Sequence, residues 1–176
     1  MKGENNMQTF TSSATSINRS KLPAVYRKAN LRHGMVMDYG CGKYIDHIRD
    51  HVFSLHKAYF PYDPYNLTDD ENAATATLVC NAMYLHIPVD VVCSNVLNVI
   101  DNDDTVRQVA RHLEEITSAT GGTAYVTVYE GDRSGIGRQT GKDSFQRNAP
   151  LRDYVRFFSI PVTVRNGMII VNENNC

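Results

Sequence analysis

Apolar positions in this chain fall into short runs, separated by segments where they recur every three or four residues. Leu22, Val25, Tyr26 and Ala29 have helical spacing, with Pro23 suited to a first turn and Gly34 to a stop. Residues 35–38 are a short apolar run ending in an acid and read as a strand; Ile45, Ile48 and Val52 then mark a helix over about 44–55. A second strand spans 57–62 and ends in Asp63-Pro64-Tyr65. The acidic stretch 66–74 is short for a full helix and reads as a loop or single turn. It leads to a third strand at 76–80, and 89–94 reads as a fourth.

The second half is as regular. Asp101-Asn102-Asp103-Asp104 is a strong helix start, because carboxylates there oppose the dipole and accept free N–H groups. Val106, Val109, Leu113 and Ile116 form its apolar face, and Gly121-Gly122 ends it. Residues 123–130 alternate as a strand. A glycine- and arginine-rich loop covers 131–149, and Pro150 opens a helix carrying Leu151, Tyr154, Val155 and Phe158 on one face. Two strands at 161–165 and 168–172 flank Asn166-Gly167, a hairpin signal. Alternating strands and helices predict an α/β protein, a Rossmann-like doubly wound sheet that is mostly parallel and closed by an antiparallel C-terminal hairpin. No internal repeat is visible.

Composition changes this picture little. The chain has 176 residues, 42% hydrophobic and 21% charged, the balance of an ordinary soluble domain. Residues 1–18 are rich in Ser, Thr and Asn and are expected to be a flexible arm, leaving 19–176 as one domain. No apolar run approaches a membrane span, and no signal-peptide core is present, so no membrane association and a cytoplasmic location are expected. Cys41, Cys80, Cys93 and Cys176 lack metal-ligand spacing, so no metal site is expected.

Charge adds more, because it is segregated. Residues 1–33 hold six cationic side chains against one acid, 57–104 hold one against eight, and 131–156 hold six against three. The basic segments 19–33 and 133–156 are candidates for contact with nucleic acid.

The chemistry centres on Asp38-Tyr39-Gly40-Cys41-Gly42, a strand end running through a glycine turn into a helix. Glycines there let backbone pass close to a nucleotide, and helix N–H groups face the ligand. An acid two residues before the first glycine suits a ligand carrying an ammonium group, whereas dinucleotide turns put an apolar residue there. Asp63, 21 positions after Gly42, can accept from both hydroxyls of a ribose.

D-Y-G-C-G resembles motif I of the class I S-adenosylmethionine-dependent methyltransferases, with Tyr44 in place of that family's third glycine. The wider pattern is similar to a small group of bacterial and phage methyltransferase-like proteins, some of which accompany DNA-modification systems. The shared segments read here Asp38 to Gly42, Tyr62 to Tyr65, Val96 to Val99 and Ser144 to Gln146.

The resemblance implies the class I methyltransferase fold and S-adenosylmethionine as cofactor, with S-adenosylhomocysteine as product. Asp38, Tyr39, Gly40, Cys41 and Gly42 would hold the methionine end and Asp63 with Pro64 the ribose. Asn81, Ala82 and Met83 would flank the adenine, and Asn95 would lie beside the methionine portion. His86 is the weak candidate for a catalytic base. Amino-methylating DNA enzymes carry a Pro-Pro-aromatic element where this chain has Asn95-Val96-Leu97-Asn98, which disfavours that reaction.

The methyl acceptor and the oligomeric state stay open at this point. A phage origin would place the protein in the host cytoplasm. Two alternatives remain beside the enzyme: a cofactor-binding module without transferase activity, and a nicotinamide oxidoreductase. Ile45 at the third glycine position of G-x-G-x-x-G and the closing hairpin count against the latter.

Overall fold

A computed structural model describes residues 21–172. The expected arm at 1–18, Arg19 and Cys176 lie outside the described residues. In chain order the elements are α1 (Ala24–Lys28), β1 (Met35–Tyr39), α2 (Asp46–Ser54), β2 (Ala58–Tyr62), α3 (Asp69–Leu85), β3 (Val89–Ser94), α4 (Asp103–Thr120) and β4 (Ala124–Thr127). There follow β5 (Arg138–Gly141), β6 (Ser144–Gln146), β7 (Val162–Arg165) and β8 (Met168–Val171). Short 3-10 segments lie at Leu97–Val99 and Leu151–Phe157, the second replacing the α-helix expected after Pro150.

Six strands make one mixed sheet in the order β2-β1-β3-β4-β8-β7. The first four run parallel, and β8 joins β4 antiparallel with β7 outside it. Period-two alternation sorts the side chains to two faces. Met37, Val91, Cys93, Ala124, Val126, Ile169 and Val171 meet α3, α4 and the 151–157 segment. Val36, Tyr59, Val92, Tyr125, Met168 and Ile170 meet α1 and α2 through Val25, Tyr26, Ile48 and Val52. Strands buried on both faces explain why the runs read as nearly continuous apolar sequence.

One element differs from expectation. Residues 76–80 are the middle of α3, not a strand. The acidic stretch before them is that helix's first turn. Glu71 N–H donates to Thr68 Oγ1 at 3.3 Å and Thr68 N–H donates back to Glu71 Oε2 at 2.8 Å, a capping box. Asp69, Asp70 and Glu71 oppose the dipole. Thr75, Val79 and Ala82 recur at helical spacing as the buried positions, so the apolar run was helical all along. Among the described residues no strand lies outside β2, which makes it the sheet edge; Pro61 blunts it, and its carbonyl accepts from Thr75 Oγ1 at 2.7 Å.

The loop 131–149 also has structure of its own, the separate β5–β6 hairpin.

Candidate functional site

The chain leaves β1 for β2 on one side and returns to β3 on the other. A crevice opens at the carboxyl ends of these strands, where strand order reverses. It is a cavity of about 1070 Å³. Asp38, Tyr39, Gly40, Cys41, Gly42, Asp63, Pro64 and Asn95 all line it, as does Tyr44.

The segments singled out in sequence are brought together here. Gly40 and Cys41 donate their N–H groups to Tyr62 O at 2.7 and 3.2 Å, and Gly42 N–H donates to Asp63 Oδ2 at 2.8 Å. The turn therefore hangs from the end of β2, and these three N–H groups face protein rather than a ligand. Gly40 has φ +76°, and a Cβ there would sit 2.3 Å from Val96 Cγ2. Glycine at 40 is thus required by the approach of Val96 as well as by the backbone.

Asn98, in the same segment, is buried and donates from Nδ2 to Gln146 Oε1 at 3.0 Å. Gln146 Nε2 donates to Tyr129 O at 2.7 Å, and Tyr129 N–H donates to Asn98 Oδ1 at 3.3 Å. Arg147 adds a 2.6 Å ion pair to Asp103. This ring of amides holds the β5–β6 hairpin against the cavity, where Arg138, Thr140, Phe145 and Gln146 form wall.

Two carboxylates dominate the electrostatics. Asp38 and Asp63 are each only 2% exposed, and neither forms an ion pair with a cationic side chain among the described residues. Burial pushes the Asp38 carboxyl up to about 6, against the phenols of Tyr59 and Tyr26, which hold it down; Asp63 adds to the rise. Tyr59 donates to Asp38 Oδ2 at 2.7 Å, and the buried Tyr26 hydroxyl lies beside the same carboxylate.

Asp63 is more fully engaged. Besides Gly42 it accepts from Tyr65 N–H at 2.9 Å and Asn66 N–H at 3.1 Å on Oδ1. A carboxylate has about four lone-pair sites, so three backbone donors leave room for roughly one more. A two-handed grip on a ribose diol would displace part of the turn.

Cys41 lines the cavity, but burial and the two carboxylates raise its thiol far above the ordinary range. It stays protonated and is a poor nucleophile.

The structure does not bring every expected residue here. Asn81, Ala82 and Met83 lie inside α3 and outside the cavity wall, because the strand they were to follow is helix. His86 ends α3 in the left-handed conformation, with Nδ1 2.9 Å from Ala119 O, at the amino end of β3 and away from the cavity.

Thr105 enters the cavity wall instead, and Asp101 lies outside it. Asn102 alone caps α4, accepting from Asp104 and Thr105 N–H groups at 2.8 and 3.0 Å. That leaves Asp101 Oδ1 buried without a partner, near Tyr65, whose phenol is raised by burial and by Asp63 and Asp101. Thr105 Oγ1, in the cavity wall, is also buried without a partner. The run of acids at 101–104 hid this, because any of them suits a helix start. His47 lines the cavity from the first turn of α2, with Nε2 3.2 Å from Lys21 O.

Comparisons with protein-family models, with curated proteins and with solved structures gave no match. Among the described residues, no helix is long and apolar enough to cross a membrane, and no three His, Cys, Asp or Glu side chains form a metal-holding group.

Proposed function

We propose that this chain is an S-adenosylmethionine-dependent methyltransferase of the Rossmann-like class I fold, reduced by one strand at the β2 edge. One observation carries the reading. Two buried carboxylates stand at the ends of adjacent strands, and among the described residues no cationic side chain is paired to either. Buried charge of one sign without a partner calls for a ligand of the other sign. An ammonium and a sulfonium on one molecule answer that need, whereas a pyrophosphate would be repelled.

The donor set fits such a ligand at both ends. Asp38 would face the ammonium group, with Gly40, Gly42 and Asn95 shaping the methionine end. Asp63 has capacity for one ribose hydroxyl. Thr105 Oγ1, in the cavity wall and without a partner, would donate at the edge of an amino-purine, beside Tyr65. Thr105 replaces Asn81, Ala82 and Met83 in the proposal. The cavity exceeds what one cofactor of this kind fills, leaving the hairpin end for an acceptor.

Bound there, the cofactor would supply an activated methyl group for in-line transfer. The protein's part is to hold nucleophile and methyl in line and to keep water out. The Asn98–Gln146–Tyr129 ring fixes the hairpin for that purpose. The Cys41 thiol, raised by burial and by the two carboxylates, is a poor candidate for a covalent relay.

Calorimetry with S-adenosylmethionine, S-adenosylhomocysteine and NAD tests the cofactor. The expected result is saturable binding of the first two and none of NAD; preferred NAD binding would overturn the reading. Transfer of labelled methyl into separate DNA, RNA, protein and small-molecule fractions tests the activity. Cofactor binding with no transfer to any fraction would leave a binding module instead.

A further inference from the structure

The large cavity runs from Asp38 and Asp63 to the β5–β6 hairpin, and its hairpin end has a chemistry of its own. Tyr129, just beyond β4, and Phe145, on β6, both line it. Tyr129 is 64% exposed, although it sits in a cavity wall rather than on a convex surface. Its backbone is nevertheless fixed on both sides. Its N–H donates to Asn98 Oδ1 at 3.3 Å and its carbonyl accepts from Gln146 Nε2 at 2.7 Å. Asn98 and Gln146 are themselves buried. The amide ring therefore holds an open aromatic side chain in one place, with Phe145 on the residue next to Gln146. The Phe145 ring lies across Gly137, where a Cβ would come within 2.3 Å of Cζ, so that glycine makes room for it.

Asn148 supplies a polar group at the same end. It is 1% exposed, lies in the cavity wall and has φ +53°. Its carbonyl accepts from Gly135 N–H at 2.8 Å, and Nδ2 donates to Ile136 O at 3.1 Å. Those two bonds hold the loop. They leave Oδ1 buried with no hydrogen-bond partner among the described residues. A Cβ on Gly131, also in the wall, would sit 2.0 Å from this oxygen, so glycine there keeps it uncovered. A buried amide oxygen without a donor calls for one from outside the chain.

Charge at this end is offset rather than one-sided. Arg138 and Asp132 both line it. The Asp132 carboxyl is held below its ordinary range, chiefly by Ser134 and further by Arg138. Neither an anion nor a cation is favoured by such a pair.

We propose that the hairpin end of the cavity binds an uncharged heteroaromatic ring carrying an N–H donor, the chemistry of a nucleobase. The ring packs on Tyr129 and Phe145, since flat aromatic faces stack on one another, and its N–H donates to Asn148 Oδ1. It is either a free nucleoside or one base of a single strand, and the wall chemistry is the same for both. The proposal rests on the adenosylmethionine reading for one point, that the cofactor takes the Asp38 end and leaves this end to the acceptor.

The test is an NMR titration of the full chain, first saturated with S-adenosylhomocysteine, with adenosine, guanosine, cytidine and uridine in turn. Saturable binding of at least one nucleoside is expected. It should weaken roughly fivefold or more in Tyr129→Leu, the scale of one lost stacking partner, and be retained in Tyr129→Phe. Asn148→Gly, which tolerates the left-handed backbone, should weaken it as well. Lys142→Gln, an exposed cation of the hairpin outside the cavity wall, should leave it unchanged. Tyr129 is exposed, and unaltered circular dichroism confirms that its variants fold. A single-stranded oligonucleotide provides the second arm. Oligonucleotide binding that competes with the nucleoside and falls in Tyr129→Leu assigns the ring to a strand; nucleoside binding alone assigns it to a free molecule. Absence of nucleoside binding to the S-adenosylhomocysteine complex, or equal binding by wild type and Tyr129→Leu, would overturn the proposal and leave the cofactor reading standing. Failure of S-adenosylhomocysteine itself to bind overturns the cofactor reading instead, and the same titration of the unliganded chain then decides the hairpin end through Tyr129→Leu.

Discussion

The two ends of the sheet are opposite in character. At the carboxyl ends of the strands, Asp38 and Asp63 are buried with no cation paired to them among the described residues. At the amino ends, Lys28, Arg32 and Arg165 line a small cleft, with no acid among its described lining residues. Parallel α/β topology sets helix N-termini toward the first edge and C-termini toward the second, so dipoles alone would place anions at the carboxyl ends and cations at the amino ends. Cations at the amino ends follow that trend. Acids at the carboxyl ends follow it too, but their burial goes beyond it: an acid at a helix start is ordinarily solvated, and these are not. The difference separates surface compensation from a site that pays for unpaired charge.

The largest break in this contrast is Asp63→Ala. It removes the acceptor for three backbone N–H groups, and hydrogen bonds to charged groups are worth about 1.5–3 kcal/mol each. Non-additivity brings the expected loss to about 4 kcal/mol, read from urea unfolding. Adenosylmethionine binding should disappear with it, so this variant reports on the turn as much as on the ligand.

Asp38→Asn sharpens the comparison in the opposite sense. The folded carboxyl lies at about 6, above the unfolded range, so the folded state binds the extra proton. Its favourable contribution is present below about pH 4 and is lost as pH rises through about 6. Two pKa units correspond to about 3 kcal/mol. The amide variant should therefore be more stable than wild type at pH 7–8 by up to about that amount, with a flatter stability profile between pH 4 and 6. It should also lose affinity for the cofactor, whereas wild-type affinity should rise with pH through 6. A variant that is less stable at pH 8, or that keeps its affinity, would contradict the role given to Asp38.

Asn98→Ala comes next. It leaves the Gln146 side chain and Tyr129 N–H without their partner, at a cost of about 1–3 kcal/mol. Hydrogen exchange over residues 138–146 should accelerate while the strands of the large sheet stay protected. Exchange that rises equally everywhere would mean that the amide ring holds the fold rather than the hairpin.

The smallest effect is at the other edge. Arg32→Gln is exposed and should change stability by no more than about 0.5 kcal/mol. Urea unfolding of wild type and variant side by side reads the difference.

Much of this molecule was legible along the chain. Periodicity located β1, β2, β3, α2, α4 and the β7–β8 hairpin, and the turn at Gly40 and Gly42 was visible from residue type. The failures have one cause each. Residues 76–80 are short and apolar, and a period of two cannot be told from a period of 3.6 over five positions; the capping box at Thr68 and Glu71 was the available signal. With that strand went Asn81, Ala82 and Met83 as site residues, and His86 moved to the far edge. Thr105 was hidden because, as the third residue of α4, it reads as part of a helix start.

The sequence by itself determined the elements that depend on neighbours: strands and helices from short periods, the turn from glycine, helix starts from acids and caps. It also determined that an acid precedes the glycines. Only the tertiary structure decided that this acid is buried with Asp63 and, among the described residues, paired to no cation, that Asp63 is occupied by backbone donors, and that Asn98 meets Gln146. It alone brought Lys28, Arg32 and Arg165 to one cleft. Burial and charge compensation depend on residues tens of positions apart, and their sign is set by which side chains are absent from the neighbourhood as much as by those present.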